Sequence, residues 1–364
     1  MNTIGSKSIT GAIVGLALAA TFLFRTQMRK SHTLLRREAA IRAVRQACAV
    51  SQLVQNEMIS VTTTTKADKS PVTVADYSAQ ALVCMELHRL FPDDPIMAEE
   101  EAKQLSSESA QLKQVSKFVS AVHKTPVGDS DVLKAIDRGS AGGGSKGLFW
   151  TLDPIDGTLG FLRKEQFAVA LALIVNGEVM LGVLGCPNLP LQWPSSEQKG
   201  VIFVASRGEG AYMLPMTPGA GEDRKIHVSD ISDSSLACFC ESVESSHSSH
   251  DDHAKIAGLL GVTASPVRMD SQCKYGAVAR GDAPIYLRLP AKKTYEENIW
   301  DHAAGAIVVE EAGGRVSDMN GKPLDFSVGR KLLRNQGIIV TNGKFLHAKV
   351  LDAVNQVLSQ RAAL

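Results

Sequence analysis

The sequence predicts an α/β protein, with an α+β amino-terminal domain and an α/β carboxy-terminal domain. Three observations lead there. Between residues 34 and 90 apolar side chains recur at helical spacing; between 167 and 214 short apolar runs are joined by Gly-containing turns, as in antiparallel hairpins; beyond 224 strand-like and helix-like segments alternate. At 364 residues, 44% of them hydrophobic, the chain can bury a large core and hold one large or two ordinary domains. The expected division is a segment 1–33 outside the fold, a first domain 34–215, a linker 216–224 and a second domain 225–364.

The amino terminus has its own composition. The first acidic residue is Glu38, preceded by Lys7, Arg25, Arg29, Lys30, Arg36 and Arg37 around an uncharged run, residues 8–24. As a helix that run would span about 25 Å, short of the ~30 Å hydrocarbon core of a bilayer. Its basic, acid-free character points to an organellar targeting peptide, for a chloroplast or a mitochondrion. The alternatives are a short membrane anchor through residues 8–24 that leaves the fold on the cytosolic side, or a cytoplasmic protein.

Ile41, Val44, Cys48 and Met58 define a first helix, and residues 62–65, all Thr, break it. Residues 69–76 enter a second helix with Leu82, Val83, Leu87 and Leu90 on its apolar side and Asp76 as its cap. The turn Phe91-Pro92-Asp93-Asp94-Pro95 leads into a short strand, 96–98, that ends in Glu99, Glu100 and Glu101. Three adjacent acids repel one another unless they are solvated or share a cation. The Gly-rich stretch 139–147 is expected to be a surface loop and not a P-loop, because no Gly falls five residues before a Gly-Lys-Ser/Thr. Strands 167–175 and 178–186 are joined by Asn176-Gly177, a strong hairpin signal, and a second pair, 201–205 and 211–214, flanks residues 207–210. Residues 216–223, with Pro218, Gly219 and Gly221, form the linker. After it come strands at 236–241, 266–269, 284–289, 314–317 and 337–341, with helices at 250–260, 271–280, 299–312 and 345–359.

Net charge is +1, so no global field recruits nucleic acid and any grip on an anionic ligand must be local. The six cysteines are scattered with no C-x-x-C pair, which favours a reducing compartment and disfavours zinc. Only Cys238 and Cys240 are close, and inert buried thiols are the expectation there over redox control.

The richest stretch is Trp150 through Phe161. A strand is expected to end at Asp153, Pro154 to turn the chain, and Asp156 to return a second carboxylate, while Gly157 lets the backbone come close. Thr158 would cap a short helix whose free N–H groups favour phosphate. Hard oxygen ligands beside an anion site suggest Mg²⁺ and a phosphoryl group. A bare D-x-x-D-G is more often an ordinary turn, and an EF-hand fails because a 12-residue loop counted from Asp153 ends at Lys164 instead of Glu. What lifts the metal reading is the Glu99 run together with Trp300-Asp301-His302-Ala303-Ala304-Gly305, which opens a helix ending in Glu310-Glu311-Ala312-Gly313-Gly314.

These separated motifs together resemble the lithium-sensitive, Mg²⁺-dependent phosphatases of the inositol monophosphatase superfamily, in particular those acting on nucleotide 3′,5′-bisphosphates. The segments around Asp76, Glu99, Asp153, His247, Ser271, Arg288 and Asp301 carry the resemblance, which runs from residue 34 to the end. It implies a layered α/β/α/β/α fold with the metals between the two domains. It implies Glu99, Asp153, the Ile155 carbonyl, Asp156 and Asp301 as Mg²⁺ ligands, and Asp76 with Thr158 as the pair that orients and deprotonates the attacking water. Gly157, Thr158, His247, Ser271, Lys274, Arg288 and Asp301 would hold the substrate. The implied reaction is hydrolysis of adenosine 3′,5′-bisphosphate to AMP and phosphate in sulfur metabolism, with the sulfated analogue as a second substrate. Expected, then, is a monomer with a small nucleotide ligand and no nucleic-acid partner.

Lys274 and Arg288 supply the second anion site that a bisphosphate needs and an inositol monophosphate does not. Leu159 stands where many relatives carry Lys, and Cys273 where Ala is common. His247, His250 and His253, spaced by three, could bind zinc, but with no Cys partner and a hard-metal site elsewhere the expectation is a helix-start contact at His247, with His250 and His253 structural. The alternatives are an inositol polyphosphate or inositol monophosphate phosphatase and, from another class, a catalytically silent nucleotide sensor.

Overall fold

The computed structural model describes residues 7–58, 70–194, 196–243, 250–290, 295–343 and 345–362, with side chains from Thr33 onward except at 70, 71, 250, 361 and 362. His247 and the side chains of the apolar run 8–24 lie outside the described residues. Among the described residues no helix is long and apolar enough to cross a membrane.

Strands β1 (Ile96–Ala98), β2 (Leu148–Asp156), β3 (Ala168–Val175), β4 (Glu178–Pro190), β5 (Lys199–Ser206), β6 (Gly210–Pro215) and β7 (Arg224–Ile226) lie side by side in chain order. Only β1 and β2 are parallel; the rest form an antiparallel meander. The β3–β4 turn holds Asn176 at φ 52° and Gly177 at φ 83°, the left-handed pair that matches the twist of a two-residue hairpin. A second sheet runs in the order β11 (Arg315–Ser317), β12 (Ile338–Thr341), β10 (Ile285–Arg288), β8 (Phe239–Glu241), β9 (Val267–Arg268), with β12 antiparallel to both its neighbours.

Helices separate and cover the sheets. α1 (Lys7–Met58) and α2 (Ser70–Leu90) pack on one face of the first sheet. α8 (Cys273–Ala279) and α9 (Ala303–Glu311) fill the space between the sheets, and α7 (His250–Leu260) and α10 (His347–Ala362) close the far face of the second. This is the expected five-layer α/β/α/β/α arrangement. Strand β3 shows why its sequence is apolar throughout: Val169, Leu171 and Leu173 enter the core under α1 and α2, whereas Ala168, Ala170, Ala172 and Ile174 face α8 and α9. Small residues let α9 approach. A Cβ at Gly182 of β4 would lie 2.7 Å from the Ala304 carbonyl and 2.4 Å from Ile307.

Several local expectations need correction. α2 begins at Ser70, so Asp76 sits inside the helix and is not its cap. Three helices, α3 (Ala102–Ser106), α4 (Ser109–His123) and α5 (Asp129–Asp137), occupy a region where none had been expected. β7 follows residues 216–223 yet pairs with β6, so the first sheet continues past that segment.

Candidate active site

Glu99 and Asp153 are neighbours because β1 and β2 are parallel and in register. Ile96, Met97 and Ala98 face Trp150, Thr151 and Leu152, so the next residue along each is an acid, Glu99 just past the end of β1 and Asp153 within β2. Pro154 does not end β2, as the sequence suggested. The strand continues to Asp156, and its pairing with β3 shifts between Asp153 and Asp156, which brings both carboxylates to one place. Asp301 arrives from the second half of the chain on a 3₁₀ turn, Ile299–Asp301, just before α9.

Gln272, which sequence reasoning overlooked, holds these pieces together. Its backbone N–H donates to Asp156 Oδ2 at 2.6 Å and its amide Nε2 to the Trp300 carbonyl at 2.8 Å, while its Oε1 accepts from the Gly305 N–H at 3.1 Å. Gly157 takes φ 91° ahead of α6 (Thr158–Leu162), and a Cβ there would stand 2.8 Å from Ser271 Cβ. Thr158 is therefore the first residue of α6 rather than its cap.

Together these elements enclose a cavity of about 280 Å³, with Glu99, Asp153, Ile155, Asp156, Gly157, Thr158, Ser271, Lys274, Arg288 and Asp301 in its wall. Leu159, Ser242, Asp270, Tyr295 and Asn298 complete the lining. Asp76 is not part of this wall. It is buried in α2 close behind, where burial and then Glu100 and Glu99 push its carboxyl well above the usual range. Cys273 is buried with its Sγ 3.3 Å from the Phe167 carbonyl and does not line the cavity. His253 faces Glu241 at 3.3 Å; the His250 side chain lies outside the described residues. All six cysteines are free thiols.

The acids are crowded. Burial, then Glu99 and Asp156, raises Asp153 well above its ordinary range. Burial, then Asp301 and Glu100, raises Glu99 to about 8, although its side chain opens to solvent. Burial raises Asp301 to about 6, with Arg288 opposing and Asp156 adding to the shift. Asp153 Oδ1 is buried and accepts no hydrogen bond. A set of hard oxygen donors with one orphaned buried oxygen fits a divalent cation, whose charge would reverse this repulsion.

Opposite the acids lie two bases. Lys274, 3% exposed, donates to the Met269 carbonyl at 3.4 Å and sits 5.2 Å from the centre of the Tyr286 ring; burial lowers its pKa, and Asp156 opposes that shift. Arg288 pairs with Glu297 at 2.8 Å and approaches Asp301 at 3.7 Å. Burial works against its charge, yet Glu297 and its other neighbours hold its pKa well above the ordinary value. Glu297, Asp301 and His302 place three ligand atoms within 4.8 Å of one another. Glu297 was not anticipated, because nothing in its local sequence distinguishes it from a surface acid.

The model of the inositol monophosphatase family matches residues 35–359. A 3′(2′),5′-bisphosphate nucleotidase of Schizosaccharomyces pombe is 43% identical over 339 residues, covering 89% of this chain and 96% of that protein. The protein of the same name from Dictyostelium discoideum is 45% identical, covering 88% and 96%. Among solved structures, the Thermotoga maritima IMPase aligns with a TM-score of 0.59 at 24% identity over 89% of this chain and 98% of its own. Mycobacterium tuberculosis SuhB aligns at 0.57 and 19% identity, covering 89% and 97%.

Proposed function

The chain belongs to the inositol monophosphatase family, and we propose that it hydrolyses the 3′-phosphate of adenosine 3′,5′-bisphosphate, giving AMP and phosphate, with Mg²⁺ as the metal. The observation that carries this reading is one cleft in which Glu99, Asp153, Asp156 and Asp301 face Lys274 and Arg288. High identity across nearly the whole length of proteins named 3′(2′),5′-bisphosphate nucleotidase supports the substrate. The sulfated analogue, with the same two anionic ends, is a second substrate in the same branch of sulfur metabolism.

Glu99, Asp153, the Ile155 carbonyl, Asp156 and Asp301 hold the metal. A Mg²⁺ bound there would supply the charge that offsets the phosphate dianion, the acidity of a coordinated water and stabilisation of the leaving oxygen. Thr158, in the cavity wall, and Asp76, buried behind it, are the pair assigned to orient the attacking water and take up its proton. Gly157 lets its backbone close against Ser271, and both line the cavity where the phosphate is held. Lys274 and Arg288 bind the phosphate that is not cleaved, and His247 contributes to the nucleotide grip. Domain 34–215 thus supplies three of the four carboxylates, and domain 225–364 supplies Asp301 and the two bases.

Phosphate release from adenosine 3′,5′-bisphosphate and from inositol 1-phosphate, each with and without Mg²⁺, tests the assignment. Faster Mg²⁺-dependent turnover of the nucleotide supports it; preference for the inositol ester overturns the substrate, and no release from either favours a silent binding protein. The basic segment 1–33 is assigned to organellar targeting, and a fluorescent fusion of the full chain that stays diffuse in the cytosol would contradict that. The protein is assigned as a monomer, which sedimentation checks.

A further inference from the structure

Behind Arg288 lies a line of buried polar groups that the reaction as described does not use. Arg288 donates from Nε to Glu297 Oε1 at 2.8 Å and pairs through Nη2 with Oε2 at 2.8 Å, so the carboxylate holds one edge of the guanidinium in a two-point grip. Glu297 Oε2 lies 3.2 Å from His302 Nε2, and His302 Nδ1 lies 2.8 Å from the Tyr275 hydroxyl. Glu297 is 6% exposed, His302 0% and Tyr275 1%. His302 and Arg288 keep Glu297 ionised, its carboxyl lowered to about 2 against the effect of burial.

The proton positions follow from the chemistry of each group. An ionised carboxylate only accepts, so His302 carries a proton on Nε2 and donates it to Glu297, while Nδ1 and the Tyr275 hydroxyl share a second hydrogen bond. The relay starts in α8, on Tyr275 next to Lys274, and ends on Arg288. Tyr275 also packs edge-on against Tyr286, at 5.3 Å between ring centres, and Tyr286 is the ring beneath Lys274. Both bases of the anion subsite are thereby seated on the same buried support.

Two effects of Glu297 compete. Its charge offsets that of Arg288 and so weakens the pull on a phosphate, whereas its two-point grip fixes a guanidinium that would otherwise be left to the Tyr295 hydroxyl, to which Nη2 donates at 3.3 Å, and to Asp301, 3.7 Å away. A long side chain gives up substantial rotamer freedom when it binds, and fixing it beforehand removes that penalty. The buried hydrogen bonds that tie Glu297 to His302 and His302 to Tyr275 favour the second effect.

We propose that Glu297, held by His302 and Tyr275, is a positioning residue that fixes Arg288 to receive the phosphate retained by the substrate, and so sets the preference for a bisphosphate over a monophosphate. This rests on the assignment of Arg288 to that phosphate. The test uses full-length protein and calorimetric binding of AMP, which carries only the retained phosphate, with adenosine as the control, so that it does not depend on turnover. Glu297→Gln is expected to weaken AMP binding about tenfold and Tyr275→Phe about threefold, neither changing adenosine binding. On adenosine 3′,5′-bisphosphate the same variants raise KM with kcat within about twofold, and on adenosine 3′-monophosphate KM stays put. Tyr275→Phe, which removes one hydroxyl, carries the test if Glu297→Gln melts early. Unchanged or tighter AMP binding in both variants would overturn the positioning role, as would equal losses for AMP and adenosine. If AMP binding falls as expected while the wild type releases no phosphate, the positioning role stands and the enzymatic assignment fails.

Discussion

Removing divalent cations should make the protein lose stability as pH rises, and the loss can be sized from Asp301. Its carboxyl is raised from an ordinary 3.8 to about 6, so the folded form binds more protons than the unfolded form between those values. Stability therefore falls as pH climbs through that window and levels off above it. At about 1.4 kcal/mol per tenfold change in proton affinity, Asp301 accounts for about 3 kcal/mol in all, about half of it between pH 5 and pH 8. Glu99, raised to about 8, extends the loss to higher pH, though its opening to solvent screens its share. His347, buried and lowered to about 4, titrates with the opposite sign, because its neutral form is the folded one. Comparing melting in EDTA with melting in Mg²⁺ at each pH cancels that contribution. The gap between the two curves is expected to widen from pH 5 to pH 8 by at least about 3 °C, taking about 2 °C per kcal/mol for a chain of this size. A gap that is constant, or that narrows with pH, would refute the picture of carboxylates kept together by a cation.

Three substitutions test the site's construction. Asp156→Asn keeps an acceptor for the Gln272 N–H but removes a charge that raises Asp153 and Glu99, so phosphate release should fall by at least about 10³-fold while metal-free melting rises; release assays and a thermal melt check both halves. Gly157→Ala puts a Cβ 2.8 Å from Ser271 Cβ at φ 91°, a strain of about 1–3 kcal/mol that should appear in the melting point and as a raised KM. Arg330→Ala removes a guanidinium that donates to the Ala98 carbonyl at 2.8 Å and covers the Trp300 ring at 4.6 Å, joining the segments that carry Glu99 and Asp301. A magnesium titration should then show about a tenfold higher half-saturation, and an unchanged value would remove Arg330 from that role.

Much of the architecture could be read from local signals. Asn176-Gly177 specified its hairpin because few residues tolerate two consecutive left-handed conformations. The strands and helices after residue 224 stood out because their apolar runs are short and separated by Gly and Pro. Contacts set by packing alone were harder to see. α2 reaches back to Ser70 through Pro71, which an early helical position accepts, so Asp76 reads as a cap in the sequence although it is interior to the helix. β2 passes through Pro154 because a register shift accommodates it, where a turn had been expected. Gln272 and Glu297 owe their importance to partners 116, 28 and 9 residues distant, a separation no local pattern reports. The acidic site itself was legible since each carboxylate lies in or beside a compact motif. The support beneath Arg288 was not, because its members are ordinary residues until the fold brings them together.

The most direct measurement follows the products of adenosine 3′,5′-bisphosphate by phosphorus NMR, with wild type and Asp153→Asn in Mg²⁺ and with wild type in EDTA. Expected are inorganic phosphate and AMP bearing its phosphate on the 5′ position, formed by the wild type in Mg²⁺ alone. Release that persists in EDTA or in Asp153→Asn, or loss of the 5′-phosphate in place of the 3′, would contradict a cleft built from metal-binding carboxylates on one side and a grip for the retained phosphate on the other.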